Sequence, residues 1–439
     1  MRTSALLALA GTAALLCVVP PVGAVVAPCD GQRPTIVSSA RVVEGTPGPD
    51  VIVVRARRAY VDAGRGHDTI CVRTGRAGLG AYVVPGPGND RVLVETHTRV
   101  IASLDEGRDT YLGGPGVDSV WTGVRGRVNR DRILLGAGDD SVGVDRGTAH
   151  RGVTIDGGGG RDELKLSSQG GSLSVDAASR RATHRGRPFV RWQGMERYVL
   201  STSGPSSFTG SEGDDAVRME GGSPQTLRTL GGDDEVTLGI DVHAPPLLLD
   251  LGDGTDTLHV SGRARTLTAD LSTQRLDLSD GSQQASYAFS GVEGLVVQLP
   301  HWVDPGADTR VELIGSDAGD VLRASACHVV LRGRGGDDHL RVGVDTEELD
   351  PLLRPFPLTR ECVRTSEVYG ESGDDVLESR GREHVYRITM DGPFGTVETL
   401  GTRKTVVADR LDGGDGDDSA GGGTGVDTCV AERVSGCES

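Results

Sequence analysis

One short pattern of polar and apolar positions recurs along the chain: an aspartate, any residue, then an aliphatic one. Asp50-Val51-Ile52, Asp68-Thr69-Ile70, Asp140-Ser141-Val142 and Asp256-Thr257-Leu258 are four instances. Successive residues of a β-strand face opposite sides. Each instance therefore predicts a short strand that starts at the aspartate and turns its aliphatic side chain inward. The segments between instances are glycine-rich, as in Gly113 to Asp118 (GGPGVD) and Gly370 to Asp375 (GESGDD). The expected structure is all-β, with many short strands stacked on one another.

Fifteen aspartates carry the pattern, with Tyr111 standing in for the aliphatic residue after Asp109 and Cys429 after Asp427: Asp50, Asp68, Asp90, Asp109, Asp118, Asp140, Asp162, Asp215, Asp234, Asp256, Asp320, Asp338, Asp375, Asp418 and Asp427. All but Asp320 have glycine two residues earlier. Glycine lets a loop adopt positive φ and curl its carbonyls inward. Calcium is a hard cation that takes six to eight oxygens, and such a loop offers carbonyls and a carboxylate together. These fifteen aspartates are the candidate metal ligands.

The loops resemble the nonapeptide G-G-x-G-x-D-x-U-x of hemolysin-type calcium-binding (RTX) repeats, over most of residues 45–430. The resemblance implies a parallel β-helix or β-roll with Ca²⁺ held between successive turns, two nonapeptides making about one turn. The chain departs from the standard nine-residue step. That step occurs only from Asp109 to Asp118 and from Asp418 to Asp427, and the usual gap is 18 to 22 residues. Such gaps predict loops stacked on one side, hence one ladder of calcium sites rather than two.

Two stretches interrupt the array. Val175 to Glu196 and Ala269 to Glu293 read as spacer turns, strand-rich and free of ligands. Trp192 within the first, and His301-Trp302 after the second, suit packing better than a binding face. Residues 345–362 carry three prolines and read as a loop thrown out from the array. The expected organisation is a signal peptide (1–24), an N-terminal calcium-loop array (25–168), and two units of spacer plus loops (169–262 and 263–345). A C-terminal unit (346–439) holds the proline-rich loop and a disulfide-type cap.

Composition narrows the function. Aromatic residues are only 3 % of the chain and glycine numbers 66, so the interior must be built from stacked Val, Leu and Ile. The net charge of −17 argues against nucleic acid, whose phosphates need clustered Lys and Arg, and against anionic lipid. Arg2 followed by the apolar run Ala5 to Val19 and the small residues before Ala24 has the form of a secretory signal. Six cysteines remain after such a cut, and sequence alone allows 15 pairings. Proximity favours Cys29–Cys71, Cys327–Cys362 and Cys429–Cys437. Export, no membrane insertion and a monomer are expected, with a cell-surface or extracellular polysaccharide or protein as the kind of partner.

Six Asp-Asp steps, such as Asp139-Asp140 and Asp374-Asp375, set two carboxylates side by side. Paired carboxylates can hydrolyse glycosides, and a calcium-dependent polysaccharide enzyme is the alternative reading. The pairs recur along the array, whereas an active site occurs once. There is no H-E-x-x-H, no G-x-S-x-G and no phosphate-binding G-x-x-x-x-G-K-[ST]. The chain is expected to bind calcium in a structural or surface-interaction role and not to be an enzyme. Like charges ~5 Å apart cost about 0.8 kcal/mol per pair even in water, so calcium is expected to couple to folding.

Overall fold

The computed structural model describes residues 27–75, 79–123, 130–144, 152–221, 223–243, 247–299, 309–343, 364–379, 383–392, 395–404, 407–422 and 427–437. The signal segment 1–24, His301-Trp302 and the whole proline-rich loop 345–362, Cys362 included, lie outside them. The described residues form strands and no helix, and none of them belongs to a helix long and apolar enough to cross a membrane.

The chain winds as a parallel β-solenoid. It alternates between two sheets, so that Ile36–Ser38, Val51–Val54 and Thr69–Val72 stack in sheet I while Val42–Glu44, Ala59–Asp62 and Leu79–Val84 stack in sheet II. Two strands make one turn, and the in-register pairing is parallel, as in Ile52↔Ile70 and Val61↔Val83. The D-x-apolar rule places the inward residue: Ile52, Ile70, Val92, Tyr111 and Val120 are all fully buried. In sheet II one column runs Val120, Val142, Leu164, Tyr198, Val217, Val236 and Leu258 on successive strands. Burying each such side chain contributes roughly 1.5–3 kcal/mol. Repetition thus replaces the large aromatic core of an ordinary domain.

The two spacers are strand-rich, but they are not plain solenoid turns. Leu173–Asp176, Arg181–His184 and Arg187–Gln193 form an antiparallel meander inserted into sheet I, and Thr266–Asp270, Arg275–Ser279 and Gln284–Ser290 form another. The first closes through Arg185 (φ 52°) and Gly186 (φ 70°), the two positive-φ residues that a tight hairpin needs. Each meander adds two strands to sheet I with none added opposite, so extra interior volume must be filled. Phe189, Trp192, Met195, Tyr198 and Phe208 are buried there, with Trp192–Tyr198 and Tyr198–Phe208 ring centroids 5.9 and 5.2 Å apart. Trp192 is therefore packing, as its sequence context suggests.

Disulfides join Cys29 to Cys71 and Cys429 to Cys437, tying down the two ends of the array. Cys327 is also disulfide-bonded.

Candidate metal centre

All fifteen sequence-predicted aspartates are buried, none more than 5 % exposed. They stand where the chain enters a strand, and most have a carboxylate that accepts a backbone N–H from the preceding turn. The backbone N–H of Asp50 donates to Asp68 Oδ1 at 2.8 Å, Asp68 to Asp90 at 2.8 Å and Asp90 to Asp109 at 2.9 Å. Asp118 donates likewise to Asp140 at 2.6 Å, and Asp140 to Asp162 at 2.9 Å. Gaps of 18 to 22 residues do stack the aspartates on one side.

The expectation of a single ladder is corrected. Asp50, Asp68, Asp90 and Asp109 precede strands of sheet I, whereas Asp118 to Asp418 precede strands of sheet II. A nine-residue step is half a turn, so Asp109 and Asp118 sit at opposite edges and hand one ladder over to the other. Asp418 and Asp427 do the same at the far end.

Against expectation, each spacer carries one further rung of the second ladder, a glutamate on which a run of linked carboxylates ends, with Asp215 and Asp320 starting the next runs. Asp162 N–H donates to Glu196 Oε2 and Asp256 N–H to Glu293 Oε2, both at 2.9 Å. Glu432 receives Asp418 N–H in the same way, at 2.9 Å. Asp131 and Asp409 are two further rungs, accepting from Asp109 N–H at 2.9 Å and standing above Asp427 at 3.2 Å. A signal was present for each, Glu432 keeping only the acid-x-apolar step in Glu432-Arg433-Val434. Gly194-Met195-Glu196-Arg197-Tyr198 and Gly291-Val292-Glu293-Gly294-Leu295 are the same motif with glutamate, and Asp131 and Asp409 keep the D-x-apolar step without glycine.

The second carboxylate oxygen separates two kinds of rung. In capped rungs the chain satisfies it. Asp50 Oδ2 accepts from Thr46 N and Oγ1 at 2.6 and 2.9 Å, and Asp215 Oδ2 from Ser211 N and Oγ at 2.7 and 3.1 Å. Asp320 is capped by Ser316 and Asp118 by Gly114 N–H. Asp131 takes the Thr122 hydroxyl, and Asp409 takes those of Ser366 and Ser379. In bare rungs Oδ2 is buried with no hydrogen-bond partner: Asp68, Asp90, Asp109, Asp140, Asp162, Asp256, Asp338, Asp375 and Asp418.

For the bare rungs other than Asp109, which has Asp105 at ordinary φ there, the difference lies four residues upstream. In the loops of Asp68, Asp140, Asp162, Asp256 and Asp418 that position is a glycine with φ between 92° and 102° (Gly64, Gly136, Gly158, Gly252, Gly414), and in those of Asp338 and Asp375 it is Arg334 at 79° and Glu371 at 76°. Positive φ turns the upstream N–H away from the carboxylate, whereas Thr46, Ser211 and Ser316 keep ordinary φ and donate. Where glycine stands five residues upstream a cradle remains beside Oδ2, in several bare rungs and also in the capped ones of Asp215 and Asp320. A Cβ on Gly333, Gly370 or Gly413 would lie 2.0, 2.2 or 2.3 Å from Oδ2 of Asp338, Asp375 or Asp418.

Burial pushes these carboxyls up, chiefly by desolvation and secondarily through neighbouring carboxylates. Asp90, Asp140 and Asp338 are raised to about 7 and Asp109 to about 8. Backbone hydrogen bonds oppose the rise without cancelling it.

The Asp-Asp steps do not make acid–base pairs. The first aspartate of each step points outward and takes an N–H from the following turn: Asp374 N–H donates to Asp337 Oδ1 at 2.9 Å, and Asp417 N–H to Asp374 Oδ1 at 3.0 Å. The inner partner accepts from the preceding turn instead. The two carboxylates of one step thus engage different turns.

The donor set is oxygen alone, which suits a hard cation and not a thiolate or imidazole metal. Among the described residues no three Asp, Glu, His or Cys side chains gather as a metal site, so an ion would draw on carbonyls beside single ladder carboxylates. Loop carbonyls do face the next turn: a Cβ on Gly88 would meet Gly66 O at 1.8 Å, and one on Gly107 would meet Gly88 O at 1.5 Å. Comparison of the chain with protein-family models and with curated proteins returned no match.

Proposed function

We propose that the protein is a secreted calcium-binding solenoid, with a structural or surface-interaction role, whose bare ladder rungs are neutralised by Ca²⁺. One observation carries the reading. Where the chain treats a rung as architecture it supplies a hydroxyl or N–H to the second oxygen. Elsewhere it supplies no donor, in most cases because the residue four positions upstream takes positive φ, and leaves that oxygen bare. A buried acceptor without a partner costs about 1–3 kcal/mol, more when charged. Repeated along two ladders, that cost favours a ligand from outside the chain. Asp68, Asp90, Asp109, Asp140, Asp162, Asp256, Asp338, Asp375 and Asp418, with the carbonyls of their glycine loops, would hold it. Binding to the folded state alone stabilises that state by mass action, and extracellular modules work at about 10⁻⁴ to 10⁻³ M calcium. Export is supported by the disulfides at both ends, which persist in oxidising compartments, and by the N-terminal sequence pattern.

Equilibrium dialysis of the oxidised protein with calcium, and with magnesium as control, tests the reading. Asp140→Ala and Asp375→Ala should each lower the calcium stoichiometry, while Asp409→Ala should leave it unchanged. Equal stoichiometry in all three variants would remove the bare rungs as ligands.

A further inference from the structure

Away from the ladders, the outer face of sheet I carries a row of basic residues. Register aligns Arg91, Thr110, Arg132, Thr154, Arg191 and Arg181 on successive strands. From Arg91 to Arg191 an arginine stands on every second strand, roughly 9.5 Å apart, with threonine between. The neighbouring outward row places Leu134, Asp156 and Gln193 side by side. A groove of about 450 Å³ runs between the two rows, lined by Arg132, Leu134, Thr154, Asp156, Arg191 and Gln193.

The charges in this groove are not spent internally. Arg91 is held by Asp30 at 2.7 Å, but the guanidinium groups of Arg132, Arg181 and Arg191 make no ion pair or hydrogen bond with any described residue. The one carboxylate in the groove is engaged, Asp156 Oδ2 accepting from Gln193 Nε2 at 2.7 Å. In a chain with 63 acidic and 46 basic residues, a run of unpaired arginines on one flat face marks an anionic partner.

We propose that this groove binds an acidic polysaccharide. Arginine matches a carboxylate in a planar, two-bond geometry, and a fixed strand spacing suits a polymer that presents carboxylates at regular intervals. Leu134 offers an apolar face for a sugar ring, and Thr154 and Gln193 offer partners for its hydroxyls. Nucleic acid fits poorly, because sequence-tolerant binding of its bases uses exposed aromatic faces. The aromatic nearest the groove, Trp192, is 5 % exposed and turned into the core. The inference does not depend on calcium in the ladders.

The test is fluorescence anisotropy of the full-length oxidised protein with a labelled, non-gelling oligogalacturonate, run both in chelator and in calcium. Saturable binding is expected in at least one condition, weakening as salt rises. Arg132→Ser combined with Arg191→Ser should weaken it roughly tenfold or more, with an unchanged circular dichroism spectrum. Should that double variant misfold, Arg132→Gln and Arg191→Gln made singly should each weaken binding roughly threefold. No binding by the parent protein, or unchanged affinity in the folded variants, overturns the proposal. A DNA oligonucleotide or oligoglutamate of equal charge binding as tightly overturns the sugar assignment. Loss of the calcium reading alone would leave oligogalacturonate binding intact.

Discussion

Capped and bare rungs occupy equivalent places in one repeating fold, yet they solve the problem of a buried carboxylate in different ways. Asp215 begins a run on the second ladder, with Ser211 at ordinary φ donating two hydrogen bonds to it. Asp375 stands farther along the same ladder and has Glu371 at φ 76° and no donor for Oδ2. Both donate or accept the same inter-turn N–H···O bond, so the ladder as architecture needs only one carboxylate oxygen. The second oxygen is where structure and function part. A capped rung is complete within the chain, whereas a bare rung is complete only with a proton or a cation.

The sharpest way to break this contrast is to fill the cradle. Gly370→Ala would place a Cβ 2.2 Å from Asp375 Oδ2 and 2.4 Å from the Gly413 carbonyl, and neither atom can retreat. The expected cost exceeds about 3 kcal/mol in chemical denaturation. The equivalent glycine of the capped rung of Asp215, Gly210, would bring a Cβ within 2.7 Å of Asp215 Oδ2 and 2.3 Å of the Thr229 carbonyl, so Gly210→Ala should cost a similar amount without changing the calcium stoichiometry. Only Gly370→Ala should also lower that stoichiometry, and an equal fall in both variants would erase the distinction.

The pH dependence follows from the raised carboxyls. Aspartate in the unfolded chain titrates near 3.9, whereas burial raises Asp90, Asp140 and Asp338 to about 7 and Asp109 to about 8. Stability linked to these protons is complete below the unfolded value and is lost as pH rises through the folded ones. The metal-free protein should therefore melt at a lower temperature at pH 8.5 than at pH 6. Calcium must displace those protons, so its affinity should rise over the same interval. A metal-free melting temperature that is flat or rising from pH 6 to 8.5 would contradict the assignment.

Two smaller effects sharpen the comparison. Ser211→Ala removes a hydroxyl donor from a capped rung and should cost about 1 kcal/mol, equally in calcium and in chelator. Leu230, 36 % exposed at φ 82°, lies four residues before Asp234 in a conformation that strains any residue with a Cβ. Leu230→Gly should stabilise the protein by about 0.5 kcal/mol, read from the shift in denaturation midpoint.

Much of the fold was legible in the sequence because the solenoid repeats one local rule. The D-x-apolar step placed Ile52, Val142 and Leu258 in the core, and the 18-to-22-residue gap gave the turn length. The switch between ladders was written in the nine-residue steps, but it shows only when nine is taken as half a turn rather than as one more repeat. Glu196 and Glu293 do not show in a repeat defined by aspartate, although their loops keep glycine at the same offset and reach the ladder through one more methylene. The meanders were not legible, since antiparallel and parallel strands share the same alternation. The capped and bare classes could not be read either. Leu230, Arg334 and Glu371 adopt positive φ without glycine to announce it, and only the backbone shows which way the upstream N–H turns.

The most direct test of the central claim is a calcium titration of chelator-treated, oxidised protein at pH 7.4. Heat would be followed in two buffers of different ionisation enthalpy, so that proton release is counted with ion uptake. The account predicts several calcium ions bound per chain, protons released as they bind, and a higher melting temperature, with magnesium failing to substitute. A protein that takes up no calcium, while its β-fold and melting temperature are already complete in chelator, would contradict the account and make the bare rungs protonated structural turns.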